Sequence, residues 1–374
     1  MNDNMVEWKK LGEIMQIARG ASPRPIKNYI TSDEDGVNWI KIGDVSPNDK
    51  YITKTNEKIT KEGASKSRLL HSGDFVLSNS MSFGRPYILK IDGCIHDGWI
   101  FMSGYKNSVI AGYLYEVLNS DFVQKYWRTK ANNGGAMTNL NSDIVRATSI
   151  PIPSLSEQNR IVGILDTFTD SIENLKQQIA QRRKQYEHYR DQLLTNVDRE
   201  ETNWKELSEI ADLYKGTYVT KKESNEGAFP VVMGGQKVAY YIDKYNSEGE
   251  SIVISRSGIN AGYVSFWNQP IFVSDGYRID TNEKVIKKYL FYFLKSREGQ
   301  INSSKKGAGV PHIQSKYLLS ILVPLPPLSE QQRIVSILDT FEASISNLEA
   351  QLEQRQKQYE YYRNKLLSFE KEEQ

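Results

Sequence analysis

The segment LSEQNRIVGILDTFTDSIENLKQQIAQRRKQYEHYRDQLL, residues 155–194, recurs as LSEQQRIVSILDTFEASISNLEAQLEQRQKQYEYYRNKLL, residues 328–367. The offset is 173, and 27 of 40 positions are identical. Both copies follow a proline ladder, PIPS (151–154) and PLPP (324–327). Further matches surround them. WKKLGEI (8–14) corresponds to WKELSEI (204–210), SGDFVLSNS (72–80) to EGESIVISRS (248–257), and GGAMTNLNS (134–142) to GAGVPHIQS (307–315). The chain is therefore two copies of one unit, each a variable block followed by a nearly fixed segment.

The fixed segment has the period of a helix. In the first copy Ile161, Leu165, Phe168, Ile172, Leu175, Ile179, Arg182, Tyr186, Tyr189 and Leu193 keep a 4-3 spacing. In the second the same places hold Ile334, Leu338, Phe341, Ile345, Leu348, Leu352, Arg355, Tyr359, Tyr362 and Leu366. That is an a/d seam with one Arg at the same level of each copy. Ser156 and Ser329 are N-cap candidates, with Gln332 completing a capping box, and the preceding prolines stop the helix extending backwards. The seam spans a rod of ~50 Å. A seam needs a partner. Connectivity favours the other copy in antiparallel orientation, because a parallel pair would force the intervening block to travel the length of the rod. Arg182 and Arg355 then lie at mirrored levels and reach an acidic side chain of the opposite helix or the solvent. The alternative is that each helix packs on its own block.

The expected organisation is a block at 1–150, a helix at 151–198, a second block at 199–323 and a second helix at 324–374. The fold class is α+β: two similar globular domains and a long antiparallel two-helix coiled coil with a pseudo-two-fold. VNWIKIGDV (37–45), GDFVLSN (73–79) and SIVISRS (251–257) read as strands. LYEVLNSDFVQKYWRTK (114–130) and VIKKYLFYFLKSREGQ (285–300) read as one helix per block.

Composition narrows the function. The 374 residues carry 48 Lys+Arg against 46 Asp+Glu. The blocks 1–150 and 199–323 are each net +3, while 151–198 and 324–374 are −1 and −3. Apolar residues are 39%, and about 40% when Gly is counted in place of Tyr, below the ~45–50% of globular domains. This suits a folded chain with extra surface. Cys94 alone excludes an internal disulfide, and four scattered His give no zinc signature. No signal region or membrane span is visible, so the expectation is a soluble, reduced, cytoplasmic protein.

Basic and amide side chains gather in glycine- and proline-rich turns. Arg19, Arg24 and Lys27 lie in ARGASPRPIK (18–27), and Asn79, Ser80 and Arg85 in SNSMSFGRP (78–86). Arg128, Lys130, Asn132 and Asn139 lie in RTKANNGGAMTNLN (128–141). The second block repeats the theme with Lys215, Thr217, Lys221 and Lys222 in 214–222, Arg256 and Asn260 in 255–262, and Lys305, Lys306 and His312 in 303–312. Such side chains grip phosphates and read base edges, and glycine lets the backbone approach closely. Each loop alone is ordinary surface; recurrence at matching places makes the set a candidate DNA contact. Catalytic chemistry is not visible. There is no Gly-Lys dipeptide and hence no Walker A loop, no adenine-methylase Asp/Asn-Pro-Pro-aromatic tetrapeptide, no GxSxG and no HExxH. His96-Asp97 reads as a structural pair on a turn.

The duplicated P-x-P-x-LSEQ-x-RIV-x-ILD helix, with WKxLxEI opening each unit, resembles the conserved regions of specificity (S) subunits of type I restriction–modification systems. The resemblance covers the whole chain, and residues 18–27 and 37–45 resemble one class of recognition domain in that family. It implies a non-catalytic subunit that binds double-stranded DNA, each recognition domain reading one half of a bipartite, asymmetric site. It further implies that the rod sets the spacing and docks two methylation subunits, and that restriction subunits join. No cofactor is implied on this chain: S-adenosylmethionine belongs to the methylation subunits, and ATP and Mg to the restriction subunits. A ~50 Å rod with readers at its ends suits half-sites about one helical turn apart, ~34–36 Å. The rival readings are a two-domain protein-binding scaffold with a coiled-coil spacer and no DNA role, and a DNA-processing enzyme with an unrecognised site.

Overall fold

The computed structural model describes residues 6–47, 49–79, 83–105, 107–131, 139–195, 203–233, 237–307 and 309–370. It divides into two compact units, residues 1–174 with 352–374 and residues 175–351. Each unit is a variable block completed by part of both long helices, Leu155–Thr195 and Leu328–Leu366.

In the first unit the opening motif and the proline ladder form one ribbon. Strand Glu7–Lys10 runs antiparallel to Ser149–Ile152, with Trp8 opposite Pro151. A two-stranded ribbon tolerates the proline, whose missing N–H faces no further strand. Two five-stranded sheets follow. One orders Gln16–Arg19, Trp99–Ser103, Phe75–Ser78, Pro86–Leu89 and Tyr51–Ile52. The other contains Val37–Ile40 and buries Cys94 beside Trp39 and Ile59. The strand expected over 37–45 ends at Ile40, because Ile42–Asp44 turns into a 3-10 helix whose Asp44 carboxylate accepts the Lys41 N–H. The single helix expected over 114–130 is two, Ala111–Leu118 and Asp121–Ala131. Ser120 caps the break, its hydroxyl turning back to the Val117 carbonyl.

The second unit repeats this plan. Asn203–Glu206 pairs with Leu322–Leu325, with Trp204 opposite Pro324. A four-stranded sheet orders Ala211–Lys215, Gly276–Thr281, Ser251–Ser255 and Val264–Trp267, and a three-stranded sheet lies beside it in sequence. The helix expected over 285–300 is again two, Lys287–Ser296 and Glu298–Ser303.

The long helices pair antiparallel inside each unit. In the first, Phe168 stacks on Tyr362 with ring centroids 5.3 Å apart, and the Arg355 guanidinium lies 5.7 Å from the Phe168 ring. In the second, Phe341 stacks on Tyr189 at 5.5 Å, and Arg182 lies 5.8 Å from Phe341. These are the same contacts with the helices exchanged, since 168, 182 and 189 correspond to 341, 355 and 362. Each seam Arg therefore rests on an aromatic face of the other helix. Ile161, Leu165, Leu175 and Ile179 are buried, as are Ile334 and Leu338. Phe168, Ile172, Phe341, Ile345, Leu348 and Leu352 are half-buried. The helices also pack on their own blocks: Ile161 and Leu165 join the core of the first unit, Ile334 and Leu338 that of the second. Packing on the block and pairing between copies occur together.

The N-cap lies two residues before the expected Ser156 and Ser329. The first helix begins at Leu155, and Ser154 accepts the Glu157 N–H. The second begins at Leu328 behind Pro327, so Ser329 sits inside the first turn and Gln332 has no cap to complete. The glutamine of LSEQ does other work. Gln158 is fully buried: its Oε1 accepts the Ile110 N–H at 3.0 Å, and its Nε2 donates to the Ser108 and Pro153 carbonyls. Gln331 repeats this with the Ile286 N–H and the Lys284 and Pro326 carbonyls. Tyr113 and Tyr289 add hydrogen bonds to the Pro151 and Pro324 carbonyls. Glu157 and Glu330 pair with Arg160 and Arg333 one turn on. No helix among the described residues is long and apolar enough to cross a membrane.

Two predictions follow from the joint. Gln158→Leu leaves one buried and two part-buried backbone groups without their partner and should cost roughly 2 kcal/mol in chemical denaturation; an unchanged midpoint would remove the clamp's role. A fragment of residues 1–198 lacks 352–366 but carries 179–193, which matches it at every seam position except Ile179 for Leu352. Light scattering should show a dimer, the second copy supplying the missing helix.

Candidate nucleic-acid interface

Strand register brings the predicted loops together. In the first unit Arg19 ends a strand opposite Ile100, and Ser78 ends another opposite Trp99, so the loops after both strands and the turn before Trp99 share one end of the sheet. The second unit does the same: Lys215 lies opposite Tyr277 and Ser255 opposite Gly276. A third loop is tied in by the Leu140 N–H to the Asn79 carbonyl, and by the Ile313 N–H to the Arg256 carbonyl. Gly20 and Gly216 pass under the turn. A Cβ on Gly20 would stand 2.3 Å from the His96 carbonyl oxygen, and one on Gly216 2.6 Å from that of Ser274.

An aspartate organises each cluster. Asp97 Oδ1 lies 3.1 Å from the Ser22 hydroxyl, and its Oδ2 lies 3.4 Å from the Arg24 guanidinium. Its backbone carbonyl accepts from Arg19 Nε at 2.6 Å and from the Asn79 amide. Partial burial opposes its charge, but His96, Ser22, Arg19 and Arg24 together hold the carboxyl below the ordinary range. In the second unit Asp275 accepts from Arg256 Nε at 2.8 Å and from the Ser257 hydroxyl. Sequence reasoning set His96-Asp97 aside as structural and did not single out Asp275. The signal was an Asp-Gly pair before a strand in both copies, HDGW (96–99) and SDGY (274–277).

The candidate side chains now sort by what holds them. Asn79 is buried and Arg256 half-buried, so both brace loops. Arg19 is tied to Asp97, Arg85 to the Pro47 carbonyl, and Lys305 to Asn302. His312 pairs its backbone with Lys306, joining the ends of their loop. Asn260 is half-buried in a turn that bonds its carbonyl to Tyr263. Arg24, Lys27, Asn139, Lys215, Thr217, Lys221, Lys222 and Lys306 are exposed on or beside the clusters. Arg128 and Lys130 are exposed on the helix Asp121–Ala131, whose Gln124 amide donates to the Gly84 carbonyl of the loop that carries Arg85. Ser80 and Asn132 lie outside the described residues. Beside Asp97 a cleft of 490 Å³ is lined by Arg24, Lys27, Lys41, Ile26, Trp39 and His96. A second cleft of 790 Å³ holds Arg85, Lys125, Arg128 and Arg363 with Asp121 and Glu360. Among the described residues no group of His, Cys, Asp and Glu is arranged to hold a metal.

This frame, duplicated and carrying different loops on the same sheet end, matches known proteins along its length. The family model described as type I restriction modification DNA specificity domain matches residues 5–182 and again 199–356. The chain belongs to that type I specificity family. A putative type I restriction enzyme specificity subunit of Haemophilus influenzae is 30% identical over 399 residues, covering 97% of this chain and 96% of the relative. The EcoR124I/EcoR124II specificity subunit of Escherichia coli is 33% identical over 259 residues, covering 60% of this chain and 64% of that subunit. Among solved structures, the S subunit of a type I system from M. genitalium superposes with a TM-score of 0.60 at 15% identity, covering 99% of both chains. A chain from a structure described as the basis of complex assembly and conformational transition of the type I R-M system reaches 0.67 at 19% identity, covering 97% of both. These are likenesses of fold.

Asp275 braces the loop that begins at Arg256 through the Arg256 side chain, the Ser257 hydroxyl and the Arg256 N–H. Asp275→Ala should keep the sheet, cost about 1–2 kcal/mol, and speed amide exchange at residues 256–262. Unchanged exchange there would show that the loop is held by its backbone bonds alone.

Proposed function

We propose that this chain is the DNA-recognition subunit of a type I restriction–modification complex, each block reading one half of a bipartite, asymmetric site. The observation that carries this is the paired loop cluster: one sheet end in each unit gathers exposed cations around a fixed aspartate. The side chains differ between units, Arg24 and Lys27 in one and Lys215, Lys221, Lys222 and Lys306 in the other. One scaffold with two different readers suits two different half-sites. The exposed cations supply phosphate contact, and the loops vary what is read. In this reading the helix pair sets the spacing and docks two methylation subunits, which carry S-adenosylmethionine. Restriction subunits bring ATP and Mg, and this chain performs no chemistry.

The rival, a scaffold whose blocks bind proteins, makes no salt-dependent contact with duplex DNA. The full chain with its methylation subunits should bind duplex DNA with a steep log–log salt dependence, and Lys221→Ala with Lys222→Ala should reduce that slope by about two. Sequencing the methylated bases of a host with and without the gene should show one bipartite motif lost with it. Binding indifferent to salt, or methyl transfer by the purified chain alone, would overturn the reading.

A further inference from the structure

Each unit joins its block to the helices in the same way, with one exchange of residues. In the first unit the landmarks are the Ile110 N–H on Gln158 and the Tyr113 hydroxyl on Pro151. One turn on, Glu116 is 1% exposed, and its Oε2 accepts the Tyr359 hydroxyl at 2.6 Å. In the second unit the same landmarks, Ile286 on Gln331 and Tyr289 on Pro324, put Tyr292 in the place of Glu116. The carboxylate there comes from the helix. Glu342 Oε2 lies 3.0 Å from the Tyr292 hydroxyl, and its Oε1 accepts from Tyr186 at 3.3 Å. The seam tyrosine is common to both joints, since 186 corresponds to 359. Position 342 corresponds to Thr169 in the first helix. One joint thus draws its carboxylate from the block and the other from the helix.

We propose that this exchange is an address on the helix pair: the first seat accepts a block bearing a carboxylate at this position, and the second accepts a block bearing a phenol. The two blocks are then not interchangeable, and their order along the chain is fixed. A block with Glu on the second seat brings a carboxylate into the buried place of Tyr292 and against Glu342, a charge that the first seat lacks at Thr169. Asp339 is already within 2.5 Å of Tyr292 and 2.9 Å of Lys288. Like charges so placed repel strongly, which rejects the wrong block. A block with Tyr on the first seat removes the acceptor of Tyr359. Thr169 offers no carboxylate to replace it, and Asp166 faces Lys50 at 3.8 Å. Burial already pushes the Glu116 carboxyl above its usual value, against the pull of Tyr359, Lys50 and Arg363. Asp166 already adds to that rise, and a further acid at position 169 would add more like charge beside it. The address is independent of what the blocks bind, so it stands or falls separately from the DNA reading.

The test is a double-mutant cycle in the full chain, read as the thermal midpoint. Glu116→Tyr and Thr169→Glu should each lower it by roughly 5 °C. Together they install the second-seat arrangement in the first seat and should recover most of the loss. Two effects that merely add would overturn the proposal. Should Glu116→Tyr fail to fold, Glu116→Gln keeps the size and can still accept from Tyr359. It should relieve the cost of Thr169→Glu, and no relief would be equally fatal. A chain with blocks 6–150 and 203–323 exchanged should be destabilised and rescued by Thr169→Glu with Glu342→Thr; an exchanged chain as stable as the parent counts against the address.

Discussion

A stripe of apolar and aromatic side chains along a helix cannot remain in water, and this chain carries two such stripes of nearly the same sequence. Their antiparallel pairing is the constraint from which the rest follows. It places the N-terminal half of one helix and the C-terminal half of the other in each unit, so neither block has a complete core from its own stretch of chain. Leu367 is buried among Leu11, Tyr113 and Ile161, and Leu194 among Leu207, Tyr289 and Ile334. The pairing is chemically uniform: a stacked phenylalanine and tyrosine with an arginine over the ring, used twice.

The fixed and variable parts of the sequence divide along a physical line. Residues that meet the backbone of the joint are the ones repeated. Gln158 and Gln331 each satisfy three backbone groups at the joint that no apolar residue could serve, and Trp8 and Trp204 lie opposite the prolines of their ribbons. Residues on the far end of each sheet answer to no such demand. Their loops are held by an aspartate and a few backbone bonds, which leaves the exposed positions at liberty to differ.

The seam was legible because a 4-3 period over more than thirty residues has no other reading, and the duplication supplied the partner. The breaks at Ser120 and Arg297 were not, since apolar residues continue across them at nearly helical spacing. Gln158 was not singled out, because the groups it serves lie outside its own helix, at Ser108, Ile110 and Pro153. For the interface, glycine and basic residues marked the right loops. They could not show that Asn79 and Arg256 are bound to a turn roughly twenty residues further along, which separates the side chains that brace from those that face outward. Glu116 was unremarked for the same reason: its partner, Tyr359, is 243 residues away.

The first unit is closed by residues 352–370, the last described stretch of the chain. During synthesis the first block therefore emerges long before the segment that finishes its core, and it must wait, with Ile161 and Leu165 uncovered on one side, while the entire second unit is made. The second unit has both of its helix halves by residue 351 and can close first. Completion of the two cores thus runs in the reverse of their order along the chain. Loss of residues 352–366 would damage the block at 6–150, distant in sequence.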